Sequence, residues 1–302
     1  MSIYSIRDLE RLTGIKAHTI RIWEKRYRLI LPARTDTNIR YYTDENLRLL
    51  FNIALLNRAG YRISKLAQMS PEEIAARAAE HIQQDTTSDA RIEALTLAML
   101  ELDEVAFERV FLNYQWEHGF ERVILDLVYP FLGRISDLWL KRSISPVHEK
   151  FVTQLIRRKL MGAIDGELPK PKPDAPRFVL YLPTEERQEL VLLFLLYLLR
   201  HRGIRALYLG AGISPDDLRD AIQLFKPHFV YTILEEPMRQ SVQHYLEKVS
   251  EILGVAQLLV SGMQVFVQPL RFPPNVRRLN GLPETLQLLE KWSENGLSAA
   301  AE

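Results

Sequence analysis

Arginine and tyrosine crowd the front of this chain in an order that suits a phosphate-bearing partner. Thr19, Arg21, Lys25 and Arg26 fall on one predicted helix, and Arg34, Arg40 and Tyr41 follow in a polar, then β-prone stretch. A guanidinium fork matches both phosphate oxygens and the guanine edge, so this set reads as a surface for double-stranded DNA. Backbone contacts would fix register and base contacts would fix sequence preference. Ile20 and Trp23 share the helix but are spaced for its inner face. Glu24 has no role against phosphate and is expected to pair with a nearby arginine. Residues 1–70 hold 13 Lys/Arg against 6 Asp/Glu, whereas residues 71–302 hold 26 against 32. A basic front on an acidic body points to a polyanion for the front; from charge alone, a solvated basic face remains the alternative.

Other chemistries find little support. The chain has no cysteine, which removes disulfides, thiolate metal sites and thiol nucleophiles. Its seven histidines are scattered without ligand spacing. Gly210-Ala211-Gly212 lacks the remaining spacing of a dinucleotide loop and reads as a turn after a strand. Glu185, Glu186 and Glu189, and Glu235 with Glu236, read as solvated loop charges rather than catalytic carboxylate pairs. The chain is not expected to be an enzyme or to hold a metal. Apolar residues are 47% and charged residues 25%, which excludes disorder along the whole length. The start, MSIYSIRDLE, carries no apolar signal core. The most apolar run, 190–199, is ten residues long, too short to cross a bilayer and suited to a buried helix. A cytoplasmic, nucleoid-associated protein with no membrane partner is expected.

The elements that must position these residues follow from periodicity. Ile3, Ile6, Leu9 and Leu12 recur at helical spacing, with Ser5 as a candidate cap and Gly14 as the stop. A second helix over 17–27 completes a helix-turn-helix, and residues 33–42 read as a wing. Thr43-Asp44-Glu45 starts a third helix that Gly60 ends; Ile63–Met69 adds a short helix, and Pro71 opens another. Helices near 91–99, 103–118, 120–140 and 146–163 make a four-helix bundle, with Pro130 expected to kink or divide the third. IDGELPKPKPDAP (164–176) reads as a stiff linker. Strand-like runs at 178–183, 205–210, 229–234 and 256–262 then alternate with helices near 186–202, 214–226, 236–253 and 283–293, the pattern of a parallel sheet covered on both faces. The fold class is thus multidomain α and α/β: a winged helix-turn-helix, a four-helix bundle, and a flavodoxin-like doubly wound parallel sheet. The expected segments are 1–75 for DNA binding, 76–89 connector, 90–163 bundle, 164–177 linker, 178–293 α/β domain and 294–302 tail. Ligands of such sheets bind beyond the carboxyl ends of the strands, here loops 183–188, 210–214, 234–238 and 261–266.

Residues 3–70 closely resemble the DNA-binding domain of the MerR family. The resemblance is carried by Tyr4-Ser5-Ile6, Leu12-Thr13-Gly14, His18-Thr19-Ile20-Arg21, Trp23-Glu24-Lys25-Arg26-Tyr27, Pro32, Arg34 and Arg40-Tyr41-Tyr42-Thr43. Within the family, Ile-Arg-x-Trp-Glu-x-Arg-Tyr is most similar to the light- and cobalamin-responsive CarH and LitR branch. The resemblance implies a dimer on a palindromic site, with recognition helix 17–27. Thr19, Arg21 and Arg26 would face the major groove; Arg34, Arg40 and Tyr41 would reach backbone or minor groove.

The order bundle, linker, α/β domain resembles the cobalamin-binding module of methionine synthases and of CarH-type repressors, over about 90–293. There a helical cap covers one face of the corrin, and the α/β domain supplies a histidine to cobalt and buries the nucleotide tail. In the bundle, the family's Trp, nine residues, Glu-His is met by Trp139 and Glu149, but Lys150 replaces the histidine. In the α/β part, the motif Glu/Asp-x-His-x-x-Gly reads Glu186-Arg187-Gln188-Glu189-Leu190-Val191, so Gln188 stands at the cobalt ligand and Val191 at the glycine. Ser/Thr-x-Leu is kept as Thr232-Ile233-Leu234, and the final Gly-Gly is Ser261-Gly262. Thr232 either bonds a buried tail or is an ordinary strand-end hydroxyl. A glutamine carbonyl is a weak cobalt donor and Val191 obstructs close approach, so no cofactor is expected in the histidine-ligated mode. Adenosylcobalamin or another cobalamin held without that ligand is the alternative. A sequence-specific regulator with a sensory or oligomerisation module follows, its partners being DNA, itself as homodimer or tetramer, and a protein antirepressor that the resemblance allows. A corrinoid methyltransferase would need histidine at position 188.

Overall fold

Helix α1 (Ile6–Thr13) begins at a capping box. The Ser5 hydroxyl accepts from the Asp8 amide at 3.2 Å, and the Asp8 carboxylate accepts from the Ser5 amide at 2.8 Å. The helix ends at Gly14, whose φ of +75° favours glycine. Ile3, 69% exposed and ahead of the cap, is not part of the buried stripe that Leu9 and Leu12 form. Helix α2 (Ala17–Tyr27) follows the tight turn, and β1 (Ala33–Arg34) pairs antiparallel with β2 (Arg40–Tyr41) as the wing. The computed structural model describes residues 3–34, 40–84, 88–140, 144–168 and 170–295; the wing tip, 35–39, lies outside them, as does the end of the tail from 296.

The chain divides into two compact units, Met1–Leu155 and Ile156–Glu302. In the first, α3 (Asp44–Arg58) buries Leu47, Leu50, Phe51, Ile53, Ala54, Leu55 and Leu56, because it packs on several neighbours at once. After it come α4 (Ile63–Leu66) and α5 (Pro71–Gln84), then α6 (Ser88–Leu100), α7 (Glu104–His118), α8 (Phe120–Arg122) and α9 (Tyr129–Leu140). Phe107 anchors this bundle, with ring centroids 6.4 Å from Phe111 and 6.2 Å from Phe131. Pro130 does not divide the third bundle helix. A π-helical segment (Val123–Val128) precedes it, and the Tyr129 amide reaches back to the Ile124 carbonyl. The wider turn accommodates the proline ring and its missing donor, so the helix continues. Helix α10 (Pro146–Gly166) runs beyond the expected end at 163, so the proline-rich stretch starts later. That stretch is also bonded rather than free, the Lys172 amide donating to the Gly203 carbonyl at 2.9 Å.

In the second unit, β3 (Arg177–Pro183), α11 (Glu189–His201), β4 (Arg205–Ile213), α12 (Pro215–Phe225), β5 (Phe229–Ile233), α13 (Val242–Ile252), β6 (Gln257–Ser261), α14 (Met263–Val267), β7 (Val276–Arg278) and α15 (Leu282–Asn295) alternate. The sheet is parallel in the order β4-β3-β5-β6-β7, the flavodoxin-like arrangement. Side chains alternate between its faces. Phe178 and Phe229 meet Trp292 of α15 on one face, while Val179, Tyr181, Val230 and Val260 pack with α12 and α13 on the other. The apolar run at 190–199 is buried helix, with Leu192 to Leu199 all inside. Gly210-Ala211-Gly212 is not a turn after the strand: it lies within β4, where positive φ at both glycines accompanies a break in register opposite Tyr181. Strand β7 and helix α14 are additions to the expected pattern. Helices α11 and α13 begin at 189 and 242, later than the expected 186 and 236, because the loops ahead of them carry a bonded structure of their own.

Candidate nucleic-acid interface and candidate ligand crevice

Helix α2 sorts its residues by chemistry. Ile20 and Trp23 are buried, as their spacing predicts, while Arg21, Lys25 and Arg26 are exposed and Thr19 is half-buried. Glu24, the one acidic side chain of the helix, pairs with no arginine among the described residues; it accepts the hydroxyl of Tyr42. Burial, then that bond to Glu24, raises the Tyr42 phenol well above its ordinary value, so it stays a donor. The carboxylate is thereby tied to the domain core, and the outer face of α2 keeps its cations. In the wing, Arg34 and Arg40 are both exposed and directly opposite across the strand pair, with Tyr41 half-buried beside them. Tyr4 forms an isolated antiparallel bridge with Tyr42, fixing the base of the wing to the start of α1.

The expected ligand residues divide between the two units. Trp139 on α9 is 44% exposed, and Glu149 on α10 is exposed, both in the first unit. Gln188, Thr232, Leu234, Ser261 and Gly262 belong to the second. The strand order reverses at β3, so the crevice of the sheet lies between the loops that follow β3 and β5. Glu186 closes it. This residue is not a solvated loop charge: it is 3% exposed, and its carboxylate accepts four backbone amides. One oxygen takes Arg187 and Gln188, both at 2.9 Å, and the other takes Glu235 at 2.7 Å and Glu236 at 3.0 Å. Convergent amides make an anion site, here filled by the chain itself. Glu189 is engaged as well, by Arg157 at 2.9 Å and by the Tyr208 hydroxyl. Glu235 accepts the Met263 amide at 3.1 Å; partial burial, and then its neighbours Glu186 and Glu236, raise its carboxyl above the ordinary value.

Gln188 is exposed, its amide given to Glu186. None of the seven histidines falls in the four strand-end loops. Thr232 is fully buried against Tyr181, without a well-aligned hydrogen bond, and the Tyr181 hydroxyl meets that of Tyr245 at 2.6 Å. Ser261 meets the Tyr231 hydroxyl at 3.1 Å, and Leu234 is core. Gly262 must be glycine: φ is +109°, and a Cβ there would sit 2.4 Å from the Leu234 carbonyl oxygen. The spacing of Glu186 matched a family motif, but nothing in the sequence announced its four amide partners. Among the described residues, no group of three or more histidine, cysteine, aspartate or glutamate side chains could hold a metal, and no helix is long and apolar enough to cross a membrane.

Residues 4–73 match the family of MerR HTH regulatory proteins, and residues 91–161 match the B12 binding domain. The HTH-type transcriptional repressor CarH of Myxococcus xanthus is 27% identical over 237 residues, 75% of this chain and 77% of that protein. Its CarA repressor is 28% identical over 229 residues, 74% of each chain. Among solved structures, the monomethylamine corrinoid protein of Methanosarcina barkeri aligns with a TM-score of 0.48 at 11% identity, over 64% of this chain and 94% of that one.

Proposed function

We propose that this chain, with its match to MerR HTH regulators followed by a match to the B12 binding domain and its similarity to the CarH and CarA repressors, is a MerR-type transcriptional regulator that grips a palindromic operator as a dimer. Thr19, Arg21, Lys25 and Arg26 read the major groove; Arg34, Arg40 and Tyr41 hold backbone or minor groove. One winged helix covers too small a patch for strong specificity, so paired half-sites about one helical turn apart are required. The observation that carries this reading is the outer face of α2, where exposed cations remain after Tyr42 has drawn Glu24 inward. The segments are 1–75 for DNA, 90–163 for the bundle and 178–293 for the α/β domain, which serves sensing or self-association in the cytoplasm and not catalysis. An antirepressor protein is a fitting partner for the acidic rear.

The residues of the second unit do not fit a histidine-ligated corrinoid. Gln188 offers no imidazole, and Glu186 spends its carboxylate on the loops that would have to part. Thr232 is fully buried beside Tyr181. A second reading, cobalamin held without a protein ligand to cobalt, is favoured by the match over 91–161 and by the exposure of Trp139. The test is to incubate the full chain with adenosylcobalamin in the dark and record the visible spectrum after gel filtration. No retained corrin band is expected; a stoichiometric band would establish that the chain binds cobalamin.

A further inference from the structure

A cavity of about 290 Å³ opens in the first unit where α3 and α5 meet α6 and α7. Three guanidinium-bearing residues line it, Arg48, Arg91 and Arg109, together with apolar side chains that include Leu97 and Val110. Arg48 is held by Glu101. Arg91 is 5% exposed, an uncommon burial for a permanent cation. Its Nη2 donates to Glu117 at 2.7 Å and its guanidinium carbon lies 4.7 Å over the Tyr114 ring, yet Nη1 is buried with no acceptor among the described residues. Glu117 itself is 44% exposed, so solvent reaches the carboxylate that holds this buried cation, and another anion that takes its place spares Arg91 the cost of being left unpaired.

We propose that the cavity binds a small organic anion, a carboxylate on a short apolar body. The carboxylate joins or replaces Glu117 on Arg91 and is steered by Arg109, and the body packs on Leu97 and Val110. A bidentate carboxylate engages Nη1 of Arg91 as well as Nη2 once the guanidinium turns, Nη1 being closed to solvent as it stands. Because α3 belongs to the helix-turn-helix half and α6 and α7 to the bundle, occupancy couples to DNA affinity; that consequence rests on the proposed DNA-binding function.

Titration calorimetry on the full chain without DNA tests the site, with hexanoate as probe and inorganic phosphate as the charge-only control. The expected result is saturable binding of one hexanoate per chain, weakened at least tenfold by Arg91→Met and by Arg109→Ala, with phosphate weaker than hexanoate. Arg109 is exposed, so its variant keeps the test alive should Arg91→Met fail to fold. No saturable binding, binding that survives both substitutions, or phosphate binding as tightly as hexanoate would overturn the proposal. Operator affinity is then measured with and without hexanoate: a shift supports the coupling, and no shift removes the coupling while the calorimetry still decides the site.

Discussion

At the scale of residues, the account turns on where charge is exposed and where it is held. Arg21 and Arg40 are exposed on the recognition helix and the wing. Each is expected to cost roughly 1–3 kcal/mol of operator binding when replaced by alanine if it reads bases. A loss that is uniform across sequences and steep in salt would assign them to phosphates instead; fluorescence anisotropy on cognate and scrambled duplexes separates the two. Glu235 gives a pH prediction. Its folded value lies above the ordinary 4.5, so the unfolded chain ionises first as pH rises. Stability present below that ordinary value is therefore lost as pH climbs through the folded one. Glu235→Gln removes the like charge beside Glu186 and keeps an oxygen for the Met263 amide. The variant should melt above the natural protein at pH 7, and the two should converge towards pH 4; a gap that persists in acid contradicts the cause assigned. At this scale the sequence made Ile20 and Trp23 legible as core, because burial leaves a helical period. It hid the partner of Glu24, because Tyr42 comes eighteen positions later through a tertiary contact.

At the scale of elements, one carboxylate joins two loops. Glu186 links the turn after β3 to the turn after β5 through four amides. Glu186→Gln puts an amide donor where two backbone donors point, and is expected to destabilise the chain by about 3 kcal/mol, read as a lower urea midpoint. Equal stability would show that the loops hold without it. Period and punctuation made most elements legible: the Ser5 and Gly14 stops of α1, the limits of α2, and the strand–helix alternation of the second unit. Helix α14 and three further features were not. Strand β7 is three residues, Val276–Arg278, with one buried side chain and two arginines, too short to leave a period. The π-helical segment before Pro130 depends on packing that no local pattern encodes. Gly210 and Gly212 read as a turn because glycine usually punctuates, whereas here they let an edge strand bulge and continue.

At the scale of the whole molecule, a basic front is joined to an acidic rear, and contacts within the first unit tie its DNA-binding half to the bundle behind it. Arg134 of α9 donates to the Leu12 carbonyl at 3.1 Å, at the turn of the helix-turn-helix. Arg58 of α3 pairs with Glu93 of α6, a carboxylate that burial pushes upward. Such links let a change in the bundle reach the DNA-reading helices. They bridge elements far apart in sequence, which is why composition revealed the charge asymmetry but not its wiring. The most direct test of DNA reading is selection from a pool of random duplexes by the folded full chain at modest ionic strength, followed by sequencing. The account predicts enrichment of an inverted repeat with half-sites about one helical turn apart, lost when Arg21 and Arg40 are both replaced by alanine. A pool that stays random under the natural protein would contradict it.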